Sequence, residues 1–332
     1  MKNTSAALGS AILFFVVVPS IISAAAQAHW IAEAATGLRF HLGLGALMSL
    51  PFLGFGGSRW RSLLAAILTF VHLMPVAVLA YLPAETPTPG AEFRLGLVNV
   101  LSSNRDSELV EAWLQNENPA VVGVLELQDF WARFFGSGEL RAAYPFRHEA
   151  PEPGDAGVAL YSRFPIHFAE TIKVGRGGTP MVRAELVVDG CIVQVLVLNA
   201  FPPISQAMWS SREELLRAAA EALDQDLPTL IVGGFNATMY SSTLAEFRES
   251  ANVTDSRQGI GRQATWMPVF GPLGLDIDHV LVSRDLRVRS RRVGATVGSD
   301  HAPIVSDVVL TESACFPPSV PSDGSDSAEQ DP

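Results

Sequence analysis

Thr229-Leu-Ile-Val-Gly-Gly-Phe-Asn-Ala-Thr-Met-Tyr-Ser-Ser242 reads as a buried strand running into a sharp turn. Leu230, Ile231 and Val232 form a short apolar run of strand length. Gly233 and Gly234 let the backbone turn without a Cβ penalty. Phe235 is expected to plug the core beneath the turn. Asn236 is left at the C-terminal end of the strand, where α/β proteins carry their chemistry.

Four other stretches place polar groups in the same way. They are Leu95-Gly-Leu-Val-Asn-Val100, Val121-Val-Gly-Val-Leu-Glu126, Leu275-Asp-Ile-Asp-His-Val-Leu-Val282 and Val297-Gly-Ser-Asp-His-Ala-Pro-Ile304. Together they offer Glu126, Asp278 and Asp300 at or beside strand ends, with Asn99, Asn236 and His301. Carboxylate and amide oxygens suit hard cations such as Mg²⁺ or Mn²⁺. No Cys/His spacing of a zinc site occurs. A magnesium site beside a histidine suits phosphoester hydrolysis, in which the metal polarises phosphoryl oxygens and positions hydroxide. Asn236 could donate to the charged oxygen that develops.

In their order along the chain, these five motifs resemble the endonuclease/exonuclease/phosphatase superfamily with its deoxyribonuclease-I-like fold. The resemblance covers about residues 93–310. It implies an α/β (α+β) four-layer sandwich, with two central mixed β-sheets and helices outside. It also implies roles: Glu126 as principal metal ligand, Asn99 and Asp300 completing or supporting that site, His301 contacting the phosphate or aiding proton transfer, and Asp278 orienting His301. Asp276 is an alternative partner for the histidine. Arg183, after Gly-Gly-Thr-Pro, could bind phosphate. Two positions depart from the pattern. The family's turn carries Asp where this chain has Gly234, and Asn199 ends the strand that usually ends in His. Glycine supplies no base and Asn199 cannot take up a proton; Asp255 is a candidate substitute acid. Two functional classes follow. One is a metal-dependent phosphodiesterase or phosphatase altered at these positions. The other is a module that binds a phosphorylated ligand without turning it over.

The rest of the 332 residues divides around this domain. Residues 6–26 are apolar, as are 40–55 and 63–82. A span needs about 20 mostly apolar residues. The favoured reading of residues 1–82 is three transmembrane helices in a lipid bilayer; the alternative is a cleaved signal peptide at Ala24-Ala25-Ala26. His41 and His72 are expected near an interface or bonded to another helix. Lys2, Arg59 and Arg61 mark the cytoplasmic side, which puts everything after residue 82 outside; Arg39 dissents. Residues 83–92 read as a proline-rich linker, 93–311 as the soluble domain, and 312–332 as an acidic tail too polar to fold.

The formal charge of −11 argues against a general polynucleotide binder. The substrate could be a phospholipid headgroup, a nucleotide or a nucleic acid, and the acidic charge and membrane anchor tilt the reading toward lipid or small phosphoesters. The basic cluster Arg284, Arg287, Arg289, Arg291 and Arg292 alternates like the solvent face of an edge strand. Cys191 is expected to be a small core residue; with Cys315 in the tail, nothing argues for a disulfide framework. Within the domain, helices are expected at 106–116, with Leu109, Val110, Trp113 and Leu114 on one face, at 211–223 capped by Ser210 or Ser211, and at 242–250. A hairpin is expected at Asp189-Gly190.

Overall fold

A computed structural model describes residues 1–81, 89–312 and 315. The chain begins with four helices: α1 (Lys2–Ser23), α2 (Trp30–Thr36), α3 (Arg39–Phe55) and α4 (Arg59–Tyr81). Helices α1 and α4 are long and apolar enough to cross a membrane. The expected second span is a bent pair, α2 and α3, that turns by 65°. Thus two helices could span by length and composition, or three segments if the pair is one broken span. His72 Nε2 lies 2.8 Å from Ser20 Oγ of α1, tying two helices together as expected of a polar group in such a segment.

The domain follows as β1 (Gly90–Asn99), α5 (Ser107–Glu117), β2 (Val121–Leu125), α6 (Asp129–Phe135), α7 (Gly138–Ala143), β3 (Phe146–Ala150) and β4 (Val158–Ser162). Next come β5 (Ile166–Val174), β6 (Thr179–Val188), β7 (Cys191–Asn199), α8 (Gln206–Glu221), β8 (Thr229–Gly234), α9 (Ser242–Ser250) and β9 (Val253–Asp255). It ends with β10 (Asp278–Ser283), β11 (Leu286–Val293) and β12 (Ile304–Thr311). The strands form two six-stranded mixed sheets, ordered β11-β12-β1-β2-β4-β3 and β5-β6-β7-β8-β10-β9.

Strand alternation explains the layering. Leu95 and Leu97 of β1 face the second sheet, where Val195, Val197, Val232 and Val280 meet them. Val98, Val122 and Val124 face outward to Trp113, Trp131 and Phe135 of the covering helices. On the far side Leu196, Leu198 and Ile231 pack under Leu215, Leu216, Leu244 and Phe247. Three apolar seams between four layers are the expected α/β sandwich. Phe235 is fully buried in the last seam, as its position after the turn required.

Several local expectations need correction. Strand β1 starts at Gly90, so residues 90–92 are paired with β12 rather than linker; residues 82–88 lie outside those described. Leu109 is 43% exposed and leaves the buried face of α5 to Val110, Trp113 and Leu114. Helix α8 starts earlier than read, because Ser205 caps it by accepting from Met208 N at 3.2 Å. Asp189 and Gly190 both take positive φ, as the two-residue hairpin demands. Strand β11 is an edge strand, but Arg291 turns inward and is buried. The tail reading of residues 312–332 lies outside the described residues apart from Glu312 and Cys315.

Cys315 is not free: it forms a disulfide with Cys191, closing a separation of 124 residues. One lone pair in a long chain carries no spacing signature, so only the fold reveals it. Disulfides of this loop length contribute about 2–5 kcal/mol. Reducing agent should therefore lower the thermal unfolding temperature of the domain. Cys315→Ser should lower it equally and make it insensitive to the reductant.

Candidate functional site

The C-terminal ends of β1, β2, β7 and β8 come to one edge of the sandwich. Parallel pairing sets Asn99 opposite Leu125, one residue before Glu126, and sets Asn199 opposite Gly234. Antiparallel β10 then sets Asp278 opposite Gly234. The register thus gathers the polar groups of four separate motifs. Glu126 and Asn236 have left-handed backbones, with φ of 60° and 49°, in a region that non-glycine residues enter at a cost and that clusters at functional sites.

Glu126 is buried and held on both oxygens. Asn99 Nδ2 donates to Oε1 and Ser102 N to Oε2, each at 2.8 Å. Asn99 is itself fixed, accepting from Leu101 N on Oδ1. Burial nevertheless pushes the Glu126 pKa up, and the nearby Asp155 carboxylate adds to this. Asp155 accepts from Ser102 Oγ at 2.6 Å, and its carbonyl accepts from Asn199 Nδ2 at 2.7 Å.

His301 Nδ1 lies 2.7 Å from Asp278 Oδ2. Burial alone would lower the imidazole pKa. The Asp278 carboxylate outweighs burial through charge and hydrogen bond, and Asp300 and Glu126 assist, so the ring is held up at about 9. For Asp278 burial is the largest single influence and raises the pKa, but the His301 charge, its hydrogen bond and that of Thr265 together pull the carboxyl below its ordinary value. Asp276, the alternative partner, is instead occupied by Arg257 and Arg262. Asp255 cannot substitute for the missing base: Arg257 and His279 clamp it in a buried network. That network faces the helix layer, opposite Asp278, since His279 is the next residue along β10.

Asn236 Nδ2 donates to Ala200 O at 2.8 Å, which leaves one amide hydrogen unused. A Cβ on Gly234 would collide with Asn199 Oδ1 and lie 3.3 Å from Asp278 Oδ1, an oxygen with no hydrogen-bond partner. The two departures from the family pattern therefore touch: Asn199 occupies the room that a side chain at position 234 would need.

Glu126, Asn199, Asn236 and His301 line one cavity of about 800 Å³. Four sequence-predicted residues lie apart from its wall: Asn99 and Asp278 act behind Glu126 and His301, and Asp300 and Arg183 are engaged elsewhere. Asp300 accepts from Trp266 Nε1 on Oδ2 at 3.0 Å, while its Oδ1 is buried without a partner. Arg183 is bound by Glu170, Glu185 and Gln194 on β5, β6 and β7, so its charge is already met. Among the described residues no three His, Cys, Asp or Glu side chains cluster as a metal cage. Mg²⁺ needs none, since it commonly uses one or two carboxylates plus waters and substrate phosphate. The oriented, cavity-facing Glu126 fits that mode.

Sequence reasoning missed a second half of the cavity. Glu33 of α2 lines it, with Ala34, Thr36 and Gly37. Glu33 is buried and paired at 3.0 Å with Arg212 of α8, which is also buried. Ser241 Oγ and Ser242 Oγ donate to the same carboxylate. Arg212 reaches on to Asn236 O at 3.0 Å. The signal available was that Glu33 is the first acidic residue of the chain, alone among apolar neighbours until Glu85.

Comparison with known proteins gives a consistent result. The Endonuclease/Exonuclease/phosphatase family profile matches residues 96–301. No curated protein matched the chain. An endonuclease/exonuclease/phosphatase from Beutenbergia cavernae superposes with a TM-score of 0.56 at 20% identity, over 67% of this chain and 72% of that one. D. rerio TDP2, solved with a single-strand DNA product, gives 0.54 at 14% identity over 65% and 98%. The human Nocturnin catalytic domain, solved with a bound sulfate anion, gives 0.54 at 16% over 67% and 94%. At these identities the likeness is one of fold.

Two measurements test the site. In chelator-treated protein the His301 ring should titrate near 9 by nitrogen-detected NMR. Asp278→Asn should lower it markedly, because burial is then opposed only by the Asp300 and Glu126 charges. The stability from this pair is full below the unfolded histidine pKa and is lost as pH rises through about 9. Separately, Glu33→Ala should cost about 3–5 kcal/mol by stranding buried Arg212. Adding Arg212→Met should recover most of that in thermal unfolding.

Proposed function

This chain belongs to the endonuclease/exonuclease/phosphatase family, and from that premise we propose that it is a membrane-anchored, metal-dependent phosphoester hydrolase acting on the extracytoplasmic side. The observation that carries the reading is the meeting of the His301–Asp278 and Glu126–Asn99 pairs at one cavity. Support for the anchor comes from the two long apolar helices. Support for the side comes from Lys2, Arg59 and Arg61, and from a disulfide, which persists in oxidising compartments.

The chemistry is water attack on phosphorus with cleavage of the P–O bond to the leaving group. With a pKa of about 9, His301 is protonated at neutral pH. It is therefore a donor, to a phosphoryl oxygen or to the departing oxygen, and not the base. Asp278 keeps that proton on the ring and fixes its direction. The remaining amide hydrogen of Asn236 can stabilise charge on the phosphoryl oxygens. Glu126, oriented by Asn99 and Ser102, would hold Mg²⁺ or Mn²⁺. The ion would supply Lewis acidity and lower the pKa of bound water. No side chain at position 234 offers a base, a loss of typically 10²–10⁴-fold. The same glycine favours the second reading, retention of a phosphorylated ligand without turnover.

The test is hydrolysis of bis(p-nitrophenyl) phosphate by the full chain in detergent with Mg²⁺. Slow turnover abolished by His301→Ala and by chelator is expected. Activity only in Gly234→Asp combined with Asn199→His would move the assignment to the binding module. Gly234→Asp alone should turn over no faster than the native chain and lose about 1–3 kcal/mol of stability, since Asn199 fills the space.

A further inference from the structure

The cavity has a wall that the hydrolase domain does not build. Glu33, Ala34 and Thr36 of α2, with Gly37 just after it, line one side of it. The apolar turn Phe201-Pro-Pro-Ile204 lines the same cavity, with Ile204 65% exposed. A cavity walled partly by the helical segment of the same chain sits beside whatever surrounds those helices.

Three contacts fix the domain against one end of the helical segment. His41 Nε2 lies 2.7 Å from Leu273 O. Arg262 stacks over the Phe40 ring at 4.5 Å. Gly259 N donates to Leu79 O at 3.0 Å. Phe40 and His41 are in the first turn of α3, and Leu79 is in the last turn of α4. Both are the ends of helices long enough, or nearly so, to span a bilayer, so the contacts lie where the apolar segments meet the polar phase. The short helical turn at Pro268–Leu273 is therefore held beside the first turn of α3. It exposes Val269 (81%), Phe270 (57%) and Leu273 (51%). Clustered apolar exposure of this kind marks an interaction surface. Here it continues the apolar surface of the helices and adjoins Trp266 and Leu275, which line the cavity.

We propose that the cavity takes an amphipathic phosphoester, a phospholipid of the leaflet that the domain faces. Its phosphate lies at Glu126, Asn236 and His301, and its acyl chains leave between α2 and the Phe201–Ile204 turn. The turn at Pro268–Leu273 dips into the interfacial layer and holds the cavity mouth at headgroup depth. The inference rests on the hydrolase reading for the headgroup end only. The acyl path follows from the shared wall.

The experiment uses the full chain in amphipol and needs no turnover. Binding of dihexanoyl-phosphatidylglycerol and dihexanoyl-phosphatidylethanolamine is compared with that of their deacylated headgroups by calorimetry. At least one acylated form should bind more tightly than its headgroup by about tenfold or more, the gain from burying only a few methylenes. Ala34→Trp, which narrows the α2 wall, should erase that ratio. Should Ala34→Trp fail to fold, a surface pair serves instead. Val269→Asp/Phe270→Asp should lower the ratio of vesicle-lipid to soluble-diester turnover, or of vesicle to soluble-headgroup binding, at least about tenfold. Equal affinity for acylated and deacylated forms overturns the lipid inference. So does hydrolysis of bis(p-nitrophenyl) phosphate with no binding of either lipid, which leaves the hydrolase reading standing. Lipid binding without any hydrolysis keeps the inference and removes the hydrolase reading.

Discussion

The site depends on hydrogen-bond register. Side chains on neighbouring strands meet only if the ladders align them, and a one-residue slip would turn each to the opposite face. Here Asn199, Gly234 and Asp278 fall in one row across β7, β8 and β10. The apolar seam between the sheets holds that row, because Val195, Val197, Val232 and Val280 can be buried in one register only. Catalytic geometry in this chain is thus a by-product of valine packing. The polar ends gather where the valine faces stop.

The electrostatics of the site follow from how little water reaches it. Glu126 and His301 are both buried, yet their pKa values rise for opposite reasons. The carboxyl is penalised for its charge, and its neighbour Asp155 makes this worse. The imidazole is rewarded for its charge by Asp278. A buried carboxyl whose charge is penalised therefore stands beside an imidazole whose charge is favoured. Gly234 and Asn199 change the centre of this arrangement and leave its two flanks in place.

Much of the domain was legible from local pattern. Apolar runs gave β2, β7 and β8, the Asp189-Gly190 pair gave the hairpin, and the spaced polar strand ends gave the site. Helix starts were harder. Ser205 caps α8 a turn before Ser210, and both are plausible caps on chemistry alone. Long-range partners were illegible in principle. Nothing near Arg183 in sequence says that Glu170 and Gln194 will neutralise it. Nothing near Asp300 says that Trp266 will claim one of its oxygens, and Cys191 and Cys315 are separated by most of the domain. The role of α2 escaped for a different reason. A short helix between apolar segments reads as a connector, and only the pairing of Glu33 with Arg212 shows that it belongs to the cavity.

That pairing bears on how the protein can be cut and inherited. Arg212 is supplied by the domain and Glu33 by the helical segment, and each is the other's only counter-charge in the pair. A protease severing residues 82–88 would not shed a finished soluble domain, because the released piece would have lost the carboxylate that answers the Arg212 guanidinium beneath Asn236. Recombination that swapped the anchor for an unrelated one would meet the same penalty. Helices and domain can therefore be exchanged only as a unit.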